Sequence, residues 1–306
     1  MSATTETGAT TRAPGGAGTP GGPGGSRGSR RTGWQRHRSW VLPVAGAALA
    51  LVFLAPYIVM LLNSVRPSGD VVRTPPTFFP REWQFSTYSQ ILTDERFLNW
   101  LKTSAIVAGS STLIVIVVSI PAAYYTARFR FPGRMAFLLL VLVTQMFSPT
   151  ALVVGIYREW FNFNMVNTYA ALILTNAAFN LAFAVWILHG FFASIPKEVE
   201  EAANLDGCSR FGTLRRVMLP LTLPGIVTAV IFTFIAAWNE YVVALTLMLD
   251  ESKKPLTVGI TSYVTGYEQH WDQLFAAAVI AIVPVVVLFA VIEKHLVGGL
   301  TAGSVK

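Results

Sequence analysis

Long apolar runs dominate the chain, and short polar segments separate them. A helix needs about 20 predominantly apolar residues to cross the hydrocarbon core of a bilayer. Six runs reach that length, so the pattern predicts an all-α membrane protein with six transmembrane helices. The predicted spans cover approximately residues 40–62, 103–127, 135–157, 168–192, 221–248 and 273–292.

Proline occurs inside these apolar runs. It removes a backbone hydrogen bond and kinks a helix, and membrane helices tolerate this where neighbouring groups satisfy the freed carbonyls. We therefore expect kinked spans, as in proteins that change shape. The prolines concerned are Pro43, Pro56, Pro121, Pro149, Pro224 and Pro284.

The first 33 residues have a different character from the rest. Gly, Pro, Ser, Thr and Ala dominate them without apolar periodicity, so they cannot bury enough surface to offset the entropy of ordering. We predict a disordered cytoplasmic tail over 1–33 and a transmembrane domain over 34–306. The first span follows about 40 residues of chain and exceeds the length of a signal-peptide core, so it is interpreted as a retained helix.

Composition supports the membrane assignment and excludes some functions. The 306 residues are 53% hydrophobic and only 13% charged, whereas soluble domains carry about 25% charged residues. The only cysteine, Cys208, allows neither an internal disulfide nor a cysteine metal cage. The spans hold no constellation of His, Asp and Glu suited to metal or acid–base chemistry, which disfavours a membrane-embedded enzyme.

The net charge of +7 could suggest a nucleic-acid partner, but the position of the charge points elsewhere. About two thirds of the Lys and Arg fall before the first span and in 128–134, 193–220 and 293–306. Cytoplasmic segments carry the excess of positive residues. Both termini are therefore predicted to be cytoplasmic, and topology explains the charge without a nucleic acid.

The cytoplasmic loop 193–220 concentrates charge between two apolar runs. Pro196 fits the first turn of a helix, in which Val199, Ala202 and Ala203 share one face. Gly207 then allows a sharp turn. A second short helix is expected to follow, with one apolar stripe and several arginines beside it; the stripe is Phe211, Leu214 and Met218, and the arginines are Arg210, Arg215 and Arg216.

This hairpin has two interpretations. An amphipathic hairpin on the lipid headgroups accounts for the arginines, but anionic lipids would repel its acidic first half. A small alanine face beside Glu201 favours the close approach of a protein partner. Docking of a protein is therefore the preferred interpretation.

The same loop resembles the EAA loop of ATP-binding-cassette importer permeases. The matching residues are Glu201-Ala202-Ala203, then Asp206-Gly207, then Val217-Met218-Leu219-Pro220, with Val217 in place of the family's usual isoleucine. The resemblance extends over roughly 40–306. It implies a permease whose coupling helices, between spans four and five, dock into a cytoplasmic ATPase. The residues it assigns to ATPase coupling are Glu201, Ala202, Ala203, Asp206, Gly207 and Pro220.

The resemblance also implies partners. The chain has no G-x-x-x-x-G-K-[ST] phosphate loop, so ATP and Mg are expected on partner ATPase subunits, with no cofactor or metal in this chain and no enzyme activity of its own. The stretches AAWNEYVVAL and VGGLTAGSVK resemble the carbohydrate, maltose-type branch. That branch implies a bacterial inner-membrane complex of this chain, a second and different permease, two ATPases and an extracytoplasmic substrate-binding protein.

Further contacts follow from the same resemblance. The C-terminal tail would reach the ATPases through Gly299, Thr301 and Ser304, and the outer loop 249–272 would meet the binding protein. His270 in that loop is expected to be exposed rather than a ligand. The transported molecule would be a sugar or oligosaccharide, moved by alternating access.

A substrate path is predicted from polar residues inside the spans. Glu240 is an acid placed within a span, and such residues usually face an interior or a water-filled path. Its neighbours Trp238, Asn239 and Tyr241 offer stacking and hydrogen bonding suited to a sugar. Lining of a cavity and polarity at an interface or between packed helices remain equally open for Glu240. The same alternatives hold for Asn176 with Asn180 and for Gln145 with Ser148.

An alternative function keeps the membrane fold without the ATPase. The chain would then be an ion- or proton-coupled secondary transporter or a channel, with Glu240 as its coupling group. That hypothesis predicts transport that needs no ATPase and is lost in Glu240→Gln.

Overall fold

The computed structural model describes residues 33–75, 77–267 and 269–301, with side chains from 41 to 291 apart from residues 76 and 268. Over these residues the backbone is helical or irregular, and its β-structure is a single isolated bridge between Val264 and Gln269. The predicted tail lies outside the described residues except for Gly33. The chain divides into two compact units, Met1–Leu54 and Ala55–Lys306; every buried side chain that is described belongs to the second.

Fourteen α-helices are found among the described residues, with one π-helical segment, Leu214–Met218, between α9 and α10 and two 3-10 turns, Glu251–Lys253 and Ile260–Tyr263. The α-helices are α1 (Gly33–Ser64), α2 (Ser68–Val71), α3 (Ser86–Thr93), α4 (Glu95–Arg128), α5 (Arg134–Thr144), α6 (Pro149–Asn162), α7 (Tyr169–Ser194), α8 (Lys197–Leu205), α9 (Arg210–Thr213), α10 (Leu219–Leu221), α11 (Leu223–Trp238), α12 (Val242–Leu247), α13 (Leu256–Gly259) and α14 (Trp271–Thr301).

Between four and six of these elements can cross a membrane. Four helical stretches are long and apolar enough by themselves, namely Val41–Ser64, Glu95–Arg128, Tyr169–Ser194 and Trp271–Val291. Two more spans result only if bent pairs are each counted as one, with a bend of 98° between α5 and α6 and of 76° between Arg210–Leu221 and α11. The all-helical membrane fold is confirmed, and the count of six stays a prediction.

Breaks interrupt two of the predicted spans. The third, 135–157, is divided between α5 and α6, with Pro149 at the start of α6, where its missing N–H is not needed. The fifth, 221–248, is divided at Thr222 and again between α11 and α12. Apolar periodicity does not reveal such breaks, because the residues on both sides are equally apolar.

The helix pair α4 and α7 forms the centre of the second unit and packs through small residues. Ala108 and Ala123 of α4 and Ala177 and Ala184 of α7 are buried, whereas large apolar side chains cover the outside. Small residues let helix backbones approach closely in membranes, where the hydrophobic effect does not drive association. The arrangement suits a molecule surrounded by lipid or by other apolar helices.

Buried hydroxyls in α4 are paired internally. Ser111 Oγ donates to the carbonyl of Ile173 on α7 at 3.1 Å, and Thr112 Oγ1 donates to Ala108 at 2.7 Å. An unpaired polar group in an apolar medium is costly, so these bonds allow polar residues to face inward. One apolar cluster at the C-terminal ends of α4 and α7 adjoins the loop 193–220 through Met218.

Candidate functional site

The first half of the loop 193–220 is a short helix closed by a glycine turn. Pro196 is the residue before α8, one position earlier than the predicted first-turn site. After α8, the N–H of Cys208 donates to Ala203 at 3.0 Å and that of Gly207 to Asn204 at 3.1 Å. With Gly207 at φ +82°, these bonds form a Schellman C-cap, for which glycine is the usual residue.

The second half of the loop is less regular than predicted. Ser209 begins α9 and accepts a hydrogen bond from the N–H of Gly212 at 3.2 Å. The helix then widens into the π-helical segment Leu214–Met218 before α10. Met218 is fully buried, but Phe211 is 71% exposed, so the predicted apolar stripe is only partly turned inward.

The predicted coupling residues are mostly accessible. Ala203 is on the buried face of α8, whereas the other five residues are exposed, so the predicted alanine face is divided. An open cavity with a volume of about 770 Å³ lies between the turn at Gly207 and the exposed Arg215 and Arg216. The exposed coupling residues are Glu201, Ala202, Asp206, Gly207 and Pro220.

Sequence reasoning missed the residue that anchors this loop. Glu200, one position before the predicted Glu201, accepts a hydrogen bond from Tyr124 at 2.5 Å and lies 3.2 Å from Arg128. The available signal was the spacing of Tyr124 and Arg128, which are four residues apart and therefore share one helix face. Nothing in a single sequence pairs that face with Glu200.

Glu240 lies in the break between α11 and α12, and its carboxylate caps a helix. One oxygen accepts from the N–H of Val243 at 2.7 Å and the other from Ala244 at 2.9 Å. The first N–H groups of a helix have no partner within the helix, so this carboxylate satisfies two of them. The carboxylate is thus engaged with the start of α12, and both interpretations of Glu240 stay predictions.

Trp238 and Asn239 border a cavity of about 400 Å³ beside α14. Tyr57 and Thr257 also line it, while Glu240 and Tyr241 are not among its lining residues. The indole N–H of Trp238 donates to the carbonyl of Ala281 at 3.1 Å, which holds the ring in place. Six aliphatic residues complete the lining, so the wall is mostly apolar, with two aromatic side chains, one amide and one hydroxyl. The hydroxyl of Thr257 donates to the carbonyl of Glu240 at 2.7 Å.

The two other polar pairs lie in different environments. Asn176 donates to Leu172 at 3.0 Å and Asn180 donates to Asn176 at 2.8 Å, so both amides bond within their own helix α7. Gln145 and Ser148 are exposed in the break between α5 and α6. The first pair is thereby positioned for packing, and the second is free for contacts outside the chain.

The segment 249–272, which is predicted to face the outside, closes over the N-terminal end of α4. Trp100 donates to the carbonyl of Glu251 at 3.3 Å, and the N–H of Leu256 donates to Ser104 at 2.7 Å. Trp100 also meets Tyr263 edge to face, with ring centroids 5.7 Å apart. Burial raises the pKa of Tyr263 to about 12. His270 directly precedes α14, and its backbone N–H donates to the carbonyl of Tyr263.

Two further expectations concern the C-terminal tail and metal binding. Gly299 and Thr301 belong to the backbone of α14, but the described side chains stop at Val291, and Ser304 lies outside the described residues. Contact of this tail with an ATPase therefore stays a prediction. Within the described part of the chain, no group of three or more His, Cys, Asp or Glu is placed to hold a metal ion.

Comparison with known proteins places this geometry in context. Residues 116–301 match the family model described as "Binding-protein-dependent transport system inner membrane component". The diacetylchitobiose uptake system permease protein NgcG of Streptomyces coelicolor is 32% identical over 257 residues, which cover 83% of this chain and 85% of that protein. The sulfoquinovosyl glycerol transport system permease protein SmoH of Agrobacterium fabrum is 34% identical over 263 residues, with 86% and 92% covered.

A solved structure shares the fold. The crystal structure of a bacterial ABC transporter involved in the import of the acidic polysaccharide alginate contains a chain that superposes with a TM-score of 0.73. The superposition covers 89% of this chain and 99% of that chain at 24% identity. The loop 193–220, α11 and α12 all lie within the matched family region, as do the residues that line the cavity beside Trp238 apart from Tyr57.

Proposed function

The chain belongs to the family of binding-protein-dependent transport system inner membrane components, and from this premise we propose that it is one of two different permeases in an ATP-driven importer of a sugar or oligosaccharide. As a member of this family it is a multi-pass membrane protein and a transport component rather than an enzyme. The proposed complex adds a second permease, two ATPases that bind ATP and Mg, and an extracytoplasmic binding protein.

The observation that carries the proposal is the exposed hairpin of α8, Gly207 and α9. Glu201 and Ala202 point away from the chain, while Ala203 and Met218 attach the hairpin to it. Because one face of the hairpin is attached to the chain, its opposite face is accessible to a partner protein. The hairpin is therefore proposed to dock into an ATPase subunit, with Glu201, Ala202, Asp206, Gly207 and Pro220 at or beside the contact.

The cavity beside Trp238 supports a carbohydrate as the transported molecule. Binding sites for small molecules combine apolar and aromatic walls with a few polar groups that orient the ligand. Tyr57 and Trp238 supply aromatic surface, and Asn239 and Thr257 supply hydrogen-bonding groups. Relatives named for diacetylchitobiose and sulfoquinovosyl glycerol support the same substrate class.

The second permease is proposed to cover the break between α5 and α6. Irregular backbone within a membrane is tolerated only where protein buries it or where it lines a water-filled cavity. In this chain Gln145, Met146 and Ser148 at the break are exposed. A neighbouring permease, with the substrate path between the two, would meet that requirement. Six spans and cytoplasmic termini complete the proposed topology.

Reconstitution tests the proposal. The chain should be purified with its copurifying partners, the ligand of the binding protein identified, and import into liposomes measured with and without internal ATP. We expect sugar import that requires ATP and the binding protein. Import by the chain alone, driven by an ion or proton gradient without ATP, would instead establish the secondary-transporter alternative.

A further inference from the structure

The C-terminal end of α4 contacts both halves of the loop 193–220. On one side, Tyr124 donates to one carboxylate oxygen of Glu200 at 2.5 Å, and Nε of Arg128 lies 3.2 Å from the other. In the second half of the loop, the guanidinium of Arg210 lies 5.3 Å from the ring centroid of Phe129, the residue that follows α4. The end of α4 thus contacts residues of both α8 and α9.

The contact with Glu200 is buried. The side chains of Arg128 and Glu200 are 5% and 17% exposed, and Tyr124 is packed edge to face against Phe192 with ring centroids 5.6 Å apart. Burying two charges is costly, so an ion pair of this kind is weak evidence for stability and is better explained by the arrangement that it specifies. The arrangement here is the position of α8 against α4.

Two adjacent glutamates therefore have different surroundings. Glu200 faces the end of α4, whereas Glu201 is exposed on the surface of α8. One carboxylate is occupied inside the chain, and its neighbour remains available to a partner. A substitution of Glu201 should accordingly affect docking of a partner, whereas a substitution of Glu200 should affect the contact between α8 and α4.

The opposite end of α4 is attached to the outer segment. Ser104 accepts the N–H of Leu256 at 2.7 Å, and Trp100 donates to Glu251. The 34 residues of α4 span roughly 50 Å at 1.5 Å per residue. A single continuous helix thus connects the coupling hairpin to the segment proposed to meet the binding protein.

We propose that the ion pair of Glu200 with Arg128 links movement of α8 to α4, and through α4 to the outer segment. Glu200 is then a positioning residue for coupling and not a docking residue. This inference rests on the proposed function, because it needs an ATPase at the hairpin. Coupling between two binding sites is reciprocal, so loss of the link should weaken the effect of the binding protein on the ATPases.

The test compares three glutamates of one helix in the purified complex. Glu200→Gln keeps an acceptor for Tyr124 but removes the charge; Glu198→Gln removes an exposed charge from the same helix, and Glu201→Gln alters the proposed docking surface. The measurements are copurification of the ATPases, thermal stability, and stimulation of ATP hydrolysis by ligand-loaded binding protein. We expect Glu200→Gln to retain the ATPases but to lose stimulation about tenfold, within the range usual for coupled sites.

The other variants have distinct expected results. Glu198→Gln should match the wild type, and Glu201→Gln should weaken copurification. The double variant Arg128→Gln/Glu200→Gln should be no worse than either single variant, since both remove the same link. If Glu200→Gln does not accumulate, Arg128→Lys, which keeps the charge but not the planar guanidinium, should give intermediate stimulation.

Several outcomes would overturn the inference. They are wild-type stimulation in Glu200→Gln or in Arg128→Lys, loss of the ATPases from Glu200→Gln, or additive effects in the double variant. A wild-type chain that copurifies with no ATPase would refute the proposed function itself, which is a separate result.

Discussion

Gly207 allows a test of whether the shape of the coupling hairpin controls docking. Its φ of +82° lies in the left-handed region, and a Cβ added there would meet no other atom within 4 Å. The cost of a side chain is therefore conformational and not steric. For an ordinary L-residue that cost is roughly 1–2 kcal/mol, which corresponds to a factor of about 5–30 in an equilibrium.

A graded series at this position follows from the same argument. Gly207→Asn should be mild because Asn tolerates the left-handed region, and Gly207→Ala should weaken ATPase binding about 5–30-fold. Gly207→Pro should abolish it, because proline holds φ near −65° and removes the N–H donated to Asn204. The assay is titration of the permease complex with the labelled ATPase, followed by import in liposomes.

The control is Gly190→Ala, at a glycine within α7 that also has open space around a Cβ. Alanine is favoured over glycine by roughly 0.5–1 kcal/mol inside a helix, so docking and import should be unchanged. Wild-type affinity in Gly207→Ala, or an equal loss in Gly190→Ala, would show that the turn does not control docking.

Three further predictions concern the rest of the molecule. A Cβ on Gly259 would lie 2.2 Å from the buried ring of Trp100, so Gly259→Ala should destabilise the complex by about 3 kcal/mol in thermal unfolding. The control Gly109→Ala, where a Cβ would have nothing within 4 Å, should not destabilise it. Equal melting temperatures for the two variants would contradict this. Glu240→Gln removes one of two capping acceptors and should cost about 1 kcal/mol yet preserve ATP-driven import; a stable variant without import would favour the ion-coupled alternative. Asn167, at φ 63°, accepts hydrogen bonds from two backbone N–H groups through its side chain, so Asn167→Ala should lower the melting temperature. Asn167→Gly should lower it less, because glycine adopts a positive φ without strain. The reverse order would refute this role of Asn167.

The coupling hairpin shows how far local sequence rules reach. Helix α8, the turn at Gly207 and a second helical element were all predictable, because proline, alanine spacing and glycine act through neighbouring residues. The π-helical segment and the outward position of Phe211 were not. They depend on how Met218 packs against the ends of α4 and α7, which are distant in sequence.

The polar residues of the spans show that a sequence can mark unusual positions without indicating what they contact. Glu240, Asn176 and Asn180 are singled out by the sequence because polar groups are costly in a membrane. That reasoning does not indicate their hydrogen-bond partners. The structure pairs the Glu240 carboxylate with two helix N–H groups and both amides with carbonyls of α7.

The sequence by itself determined that this is a membrane protein, that it is helical, and that two short helical elements joined by a glycine turn lie in the loop 193–220. Each of these follows from a local pattern, since the length of an apolar run and the spacing of turn residues involve only neighbouring residues. Only the tertiary structure decided where the spans break and which glutamate of the adjacent pair is occupied. Glu200 and Arg128 are 72 residues apart in the sequence, about twice the 34 residues of α4. Their carboxylate–guanidinium contact depends on the packing of α4 against α7, which no local pattern specifies.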